Sequence, residues 1–431
     1  MPRWIAAQAI LDALNRARPF EERFGGETEG TAAGLDARDR ALARSIATVS
    51  MRRLGTIRKA LGRYLEKGLP RKSGPLEGVL IAASAQLLFM DTSDHAAVDL
   101  AVRAARHDPA STPYAGLANA VLRNVARAKA ELAEDSDPFD DDTPAWLGRR
   151  WSGIYGEATA RAIARAHRDE PTLDLTVKSD PAGWAEKLGG RVLPTGSVRL
   201  ETHAPVPDLE GYAAGEWWVQ DAAAALPARL APIVAETRTV DLCAAPGGKC
   251  AQLVHAGASV VAVDRAAERL KRVAANLSRL NLSAELVVAD AQIYQASLFD
   301  VALLDAPCTS TGTIRRHPDV AWTKRSSDIV AMAKIQSALL DRAVALTKPQ
   351  GVIVFCTCSL EPEEGEEQIM ALLRRNPAVR RIPIEAGEIG GLTECVSPQG
   401  DLRTLPCHLP ADTPRQSGLD GFFAARLERR S

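Results

Sequence analysis

The first 242 residues contain no cysteine. All seven thiols, Cys243, Cys250, Cys308, Cys356, Cys358, Cys395 and Cys407, lie in the rest of the chain. An odd count confined to one half argues against a disulfide framework. Cys356 and Cys358 are the only close pair, and no second pair with histidines stands at zinc-finger spacing, so no metal site is expected. No uninterrupted apolar run reaches the roughly 18 residues of a membrane span. The opening segment MPRWIAAQAILDALNRARPF mixes charge into its apolar positions and lacks the apolar core of a signal peptide. The expected location is therefore the cytoplasm, with no membrane partner. Internal repeats, low-complexity tracts and long heptads are also absent, so a monomer is expected.

What is present is unevenly distributed. The 431 residues carry a net charge of −1, yet residues 1–130 hold 20 Lys and Arg against 13 Asp and Glu. Between Arg38 and Lys72 there are 11 basic residues and only Asp39 and Glu66 as acids. Such a stretch is either a solvated helix face or a phosphate-binding patch, with Arg52, Arg53, Arg58 and Lys59 as candidate contacts.

The same first 130 residues read as helical. Leu42, Ile46, Val49, Ile57, Leu61 and Tyr64 mark one helix face. Leu76–Phe89 is apolar enough for a buried helix, and Ala115–Ala130 again has helical composition. An all-α domain over 1–130 follows. Seven acids between Glu131 and Asp142, punctuated by Pro138 and Pro144, mark an acidic linker over 131–144. Residues 145–232 form a small α+β module with a strand at Leu173–Val177. Over 233–431, strands at Thr239–Cys243, Ser259–Val263, Glu285–Val288, Phe299–Leu304 and Val352–Phe355 alternate with helices such as Asp328–Thr347. That alternation predicts an α/β domain with a covered parallel sheet, and Phe422–Arg426 closes it as an edge or hairpin strand.

Asp241-Leu-Cys-Ala-Ala-Pro-Gly-Gly-Lys249 falls where the first of these strands meets a helix. Glycines at that junction let a ligand approach the backbone at the carboxyl edge of the sheet. Asp264 ends the next strand and can accept bonds from two ribose hydroxyls, and Asp290 ends the third. The turn is neither a dinucleotide fingerprint nor a P-loop, and acids at three strand ends suit an adenosine ligand without pyrophosphate, such as S-adenosylmethionine.

Two further strands end in Leu-Leu-Asp305-Ala-Pro-Cys308 and Phe-Cys356-Thr-Cys358-Ser. Adjacent parallel strands bring Asp305, Cys308 and Cys358 to the edge that carries the glycine turn. A single cysteine is usually a small buried hydrophobe. Two at neighbouring strand ends, one preceded by an aspartate, point to thiol chemistry, and spacing alone leaves open which thiol attacks. Cys243, Cys250, Cys356, Cys395 and Cys407 are read as structural.

The ordered set DLCAAPGGK, VVAVD, AD, LLDAPCTSTGTIRRHPDVAW and CTCSLEPEEGE resembles the RNA (cytosine-5) methyltransferases of the NOL1/NOP2/sun family, over about residues 217–428. The helical N-terminus resembles NusB-like RNA-binding domains. The resemblance implies a Rossmann-like class I methyltransferase domain, S-adenosylmethionine as cofactor and RNA as partner, with small-subunit rRNA favoured. It implies that Cys358 attacks ring carbon 6, that Asp305 bonds ring nitrogen 3, and that Cys308 assists release. It implies cofactor contacts from Cys243, Ala244, Ala245, Pro246, Gly247, Gly248, Lys249, Asp264, Asp290 and Asp305. Arg315, Arg316 and His317, after the Cys308 loop, are expected to touch the RNA backbone. The alternatives are the same chemistry on tRNA, a non-catalytic assembly factor, and a small-molecule methyltransferase. Intact Cys358, Cys308 and Asp305 weigh against the second, and the added N-terminal modules against the third.

Overall fold

Among the described residues, which are 1–24, 34–202 and 204–430 of this computed structural model, every regular element before Glu170 is helical. Helices Pro2–Arg16, Ala37–Arg52, Leu54–Gly62, Leu76–Phe89, Asp94–Ala105 and Ala115–Arg127 share one apolar core. Leu76–Phe89 lies at its centre, with 11 of its 14 residues buried, as a helix without a polar face must. The apolar series from Leu42 to Tyr64 does not follow a single helix. It breaks at Arg53, and Gly55 lies where the backbone of Asp141 crosses: a Cβ there would sit 1.7 Å from the Asp141 carbonyl oxygen.

The acidic stretch is folded onto this core. Lys129–Glu134 is helical, and Asp142 accepts from the Thr56 amide and hydroxyl at 2.8 and 2.9 Å. Helices Ala145–Tyr155 and Glu157–Arg168 belong to the same compact unit, which spans Met1–Asp169 and takes in the distant segment Ile314–Lys324.

The second unit comprises Glu170–Thr313 and Arg325–Ser431. It begins with a small antiparallel sheet of β1 (Leu173–Val177), β2 (Arg191–Val192), β3 (Val198–Leu200) and β4 (Trp217–Val219), in the order β2-β3-β1-β4. A buried Arg199–Asp174 pair, bonded at 2.6 and 2.7 Å, joins β3 to β1.

The main sheet contains β5 (Arg238–Leu242), β6 (Ser259–Asp264), β7 (Glu285–Val288), β8 (Phe299–Asp305), β9 (Thr347–Thr357), β10 (Val379–Arg381), β11 (Leu402–Thr404) and β12 (Phe422–Arg429). Its order is β10-β12-β9-β8-β5-β6-β7, with β11 pairing to β12. Strands β5 to β9 run parallel, and their alternate residues enter two apolar cores, one on each face. Helices Gly248–His255 and Ala267–Arg279 cover one face, and Ser326–Leu346 and Glu366–Arg375 the other. Strand β12 is not the edge expected from the sequence. It lies between β9 and β10, because the three-residue β10, too short and too charged to read as a strand, pairs along its outer side.

Candidate active site

The carboxyl ends of β5, β6, β8 and β9 supply nearly every polar group of the site. After β5 the chain turns through Cys243, in the left-handed region at φ 66°, and Gly247 at φ 103°, which leads into the helix Gly248–His255. A non-glycine residue at positive φ is uncommon and is held only where its surroundings dictate it. Burial pushes the Cys243 thiol up to about 12, with Asp305 and Asp264 adding to the shift, so this cysteine stays protonated.

Asp264 closes β6 and is 2 % exposed. It accepts from the amides of Ala245 at 3.4 Å and Ala266 at 3.0 Å, and Arg269 stands 3.4 Å away. Its carboxylate therefore ties the turn after β5 to the turn after β6. Asp290, beyond β7, is exposed and accepts from the Gln292 amide at 2.9 Å.

Asp241 is fully buried in β5, with no hydrogen-bond partner for either carboxylate oxygen among the described residues. Burial, then Asp305, raises its pKa well above the carboxylate range, while Lys249 opposes the shift. Lys249 Nζ lies 2.7 Å from Asp305 Oδ2 and 4.8 Å from the centre of the Phe422 ring. Burial works against the Lys249 charge, but Asp305 outweighs it and the ammonium is held. Asp305 is thus held beside the Lys249 ammonium, and Asp264 stays close to Asp241 on the next strand.

Strands β8 and β9 pair in register, with Asp305 opposite Cys356. Cys356 Sγ lies 3.5 Å from Asp305 Oδ1, and burial followed by Asp305 raises its pKa. Two residues on, Cys358 Sγ lies 3.4 Å from Cys308 Sγ and 3.5 Å from Ser310 Oγ. The hydrogen bond shared with Cys308 lowers the Cys358 pKa from that of an ordinary thiol, and the same bond raises that of Cys308. The pair is therefore unequal: Cys358 gives up a proton more readily than Cys308.

Behind the thiols sits Glu364, fully buried. It accepts from the Thr309 amide at 2.9 Å, the Ser359 hydroxyl at 2.5 Å and Gln336 Nε2 at 3.2 Å, and also from the Thr309 hydroxyl. Thr309 follows Cys308 and Ser359 follows Cys358, so one carboxyl group fastens both cysteine turns. Arg403 adds a bond to the Ser359 carbonyl at 2.5 Å. Sequence reading missed Glu364, although it stands within CTCSLEPEEGE, because a glutamate in an acidic run reads as surface.

The expected RNA contacts fare differently. Arg52 and Arg315 are buried, and Arg52 Nη1 donates to the carbonyls of His167 at 2.9 Å and Arg315 at 2.8 Å. They tie the first unit together and present no open cation. Arg53 stacks on Phe89 and pairs with Asp142 at 3.7 Å. Arg58 meets Glu77 at 3.0 Å, and Lys59 meets Asp141 at 3.1 Å. Arg316 is exposed and His317 half-buried, its pKa brought down to about 4 by burial and the nearby arginines.

Two family profiles match the chain, one described as 16S rRNA methyltransferase RsmB/F over residues 228–428 and one of the NusB family over residues 1–127. The chain is 32% identical to ribosomal RNA small subunit methyltransferase B of Shewanella oneidensis, over 99% of its own length and 98% of the relative's. It is 35% identical to the protein of the same name from Vibrio cholerae, over 91% and 90%. Among solved structures, PH0851 superposes with a TM-score of 0.72 at 23% identity over 99% of both chains. NSun6 from Pyrococcus horikoshii gives 0.55 at 19%, covering 67% of this chain and 98% of its own. At such identities the two structures speak to the fold alone.

Proposed function

Since the chain belongs to the RsmB/F family of rRNA methyltransferases, we propose that it methylates carbon 5 of a cytosine in 16S rRNA through a covalent bond from Cys358 to the base. The observation that carries this reading is the thiol pair, Cys358 and Cys308, 3.4 Å apart where β8 and β9 end, on the strand ends that also carry Asp305.

S-adenosylmethionine, when bound, supplies an electrophilic methyl group on a sulfonium. Residues 243–249, Asp264, Asp290 and Asp305 would hold it, and the Asp264 and Asp305 carboxylates suit its positive charge. The remaining chemistry falls to the chain's own side chains. Carbon 5 of cytosine is a poor nucleophile. The Cys358 thiolate adds to ring carbon 6, and carbon 5 becomes enamine-like and able to accept a methyl group. As thiolate addition places negative charge on ring nitrogen 3, that nitrogen takes up a proton from solvent and donates it in a hydrogen bond to the Asp305 carboxylate, which Lys249 fixes; the proton is lost again when the ring is restored.

Once Cys358 is bonded to carbon, the anion that kept Cys308 protonated is gone. Cys308 then loses its proton to solvent and, as thiolate, takes the one on carbon 5; the electron pair of that carbon–hydrogen bond re-forms the carbon 5–carbon 6 double bond, and the carbon 6–sulfur bond breaks with its pair returning to Cys358 as thiolate. A base stacked in folded RNA must be unstacked to reach this pair.

Bisulfite sequencing of rRNA and tRNA from cells with and without the protein tests the reading. The expected result is one 16S rRNA cytosine whose protection disappears with the gene. Loss of a tRNA mark alone would move the substrate to tRNA, and loss of no mark would favour a non-catalytic role.

A further inference from the structure

Helices Asp94–Ala105 and Ala115–Arg127 leave between them an open groove of about 890 Å³. Its apolar floor includes Val98 and Ala115. At Gly116 the backbone faces open space, since an added Cβ would meet nothing within 4 Å. Arg106, Arg123 and Arg127 line the groove and are exposed.

Charge separates this groove from the Arg44–Arg63 part of the basic stretch singled out by the sequence. In that stretch Arg44, Arg53, Arg58, Lys59 and Arg63 each face a carboxylate, three of them from the acidic run 131–142, through Asp142, Asp141 and Asp135 respectively for Arg53, Lys59 and Arg63. In the groove the acids are the neutralised partners: Asp94 pairs with Lys129 at 2.8 Å and Asp99 with Arg103 at 3.0 Å. Among the described residues Arg106 has no carboxylate partner, and Arg123 and Arg127 bond only to the amide oxygens of Asn119 and Asn124. Three full positive charges therefore remain on one concave surface.

We infer that this groove is where the first unit grips the sugar-phosphate backbone of RNA, and that Arg106, Arg123 and Arg127 are the phosphate contacts. A bond to a neutral amide holds a guanidinium in place without cancelling its charge, so these side chains are arranged and still attractive to phosphate. The inference rests on the reading that the substrate is RNA and adds the surface that binds it.

The test is the salt dependence of binding, measured on the full chain without cofactor, using a fluorescein-labelled RNA hairpin transcribed from 16S rRNA. Each phosphate contact contributes roughly 0.7–0.9 to the slope of log K against log salt. Replacing Arg106, Arg123 and Arg127 together by Ala is expected to reduce the slope by about two and to weaken binding more than tenfold at low salt. Lysine at the same three positions is expected to keep the slope, which counts charges rather than shape. Replacing Arg58, Lys59 and Arg63 by Ala is expected to leave it nearly unchanged. An unaltered slope in the groove variant, or a loss confined to the Arg58, Lys59 and Arg63 variant, overturns the inference. Unchanged thermal melting shows that the variants fold. A chain that binds RNA through this groove but transfers no methyl group would overturn the proposed chemistry and leave the groove standing.

Discussion

Cys308 Sγ and Cys358 Sγ lie 3.4 Å apart, within hydrogen-bonding distance, and the two thiols come from turns that follow adjacent parallel strands, β8 and β9. The bond makes the pair unequal before any substrate arrives: it favours the thiolate on Cys358 and holds the proton on Cys308. Sequence spacing left the two roles interchangeable, and this polarity favours attack by Cys358.

Cys358→Ala should therefore abolish methyl transfer, by on the order of a thousandfold or more, while cofactor affinity stays as it was. Single-turnover assays with labelled S-adenosylmethionine, beside calorimetric titration of the cofactor, read both. Near-normal turnover would remove Cys358 as the nucleophile.

Cys308→Ala should behave differently, trapping a covalent protein–RNA adduct visible as a slow band on a denaturing gel. The same change removes the main influence that lowers the Cys358 pKa. The pH midpoint of adduct formation should then move up, since burial and Asp305 both act against the Cys358 thiolate. An adduct that forms with an unshifted midpoint would show that Cys308 does not polarise Cys358.

Glu364 fastens the turns on both sides of the pair through Thr309 and Ser359. Glu364→Gln cannot accept all of those bonds with one amide oxygen, so the thiols should lose their alignment. A shift of about 1 Å at a reacting group costs on the order of a hundredfold in rate. The loss should appear in kcat, with KM for the cofactor little changed. Equal losses in both would indicate general damage to the fold.

The fourth expectation concerns acid stability of the first unit. The His167 ring is buried against Trp151, at 5.6 Å between ring centres, and burial, with Arg52 and Arg315 nearby, brings its pKa down to about 3. Below the unfolded value of about 6.5, only the unfolded chain takes up that proton, so stability falls as pH drops from there towards 3. At pH 5 the cost is about 2 kcal/mol. Urea melts of wild type and His167→Phe from pH 7.5 to 5 should diverge by that amount, with the variant less sensitive. Parallel curves would place the imidazole in contact with solvent.

The sheet was legible because its strands are short apolar runs at the right spacing, and the chemistry because Asp305, Cys308 and Cys358 fall at strand ends. What escaped were features made by partners distant in sequence. Strand β12 left the edge because of β10, and Glu364 was hidden in an acidic run that read as surface. Arg52 and Arg315 counted as open charge until burial and a shared hydrogen bond removed them. A linear charge count cannot show which cations are already answered.

The segment Ile314–Lys324 folds with the helices of the first 169 residues, where Trp322 Nε1 bonds the Met51 carbonyl at 2.9 Å. A ribosome making this protein delivers those helices early and that segment much later, since synthesis runs from the N-terminus. The amino-terminal unit is thus begun first but completed only after the strands that carry the glycine turn have emerged. No single proteolytic cut can release it whole, and a fragment ending at Asp169 would lack the strip that Trp322 and Arg315 provide.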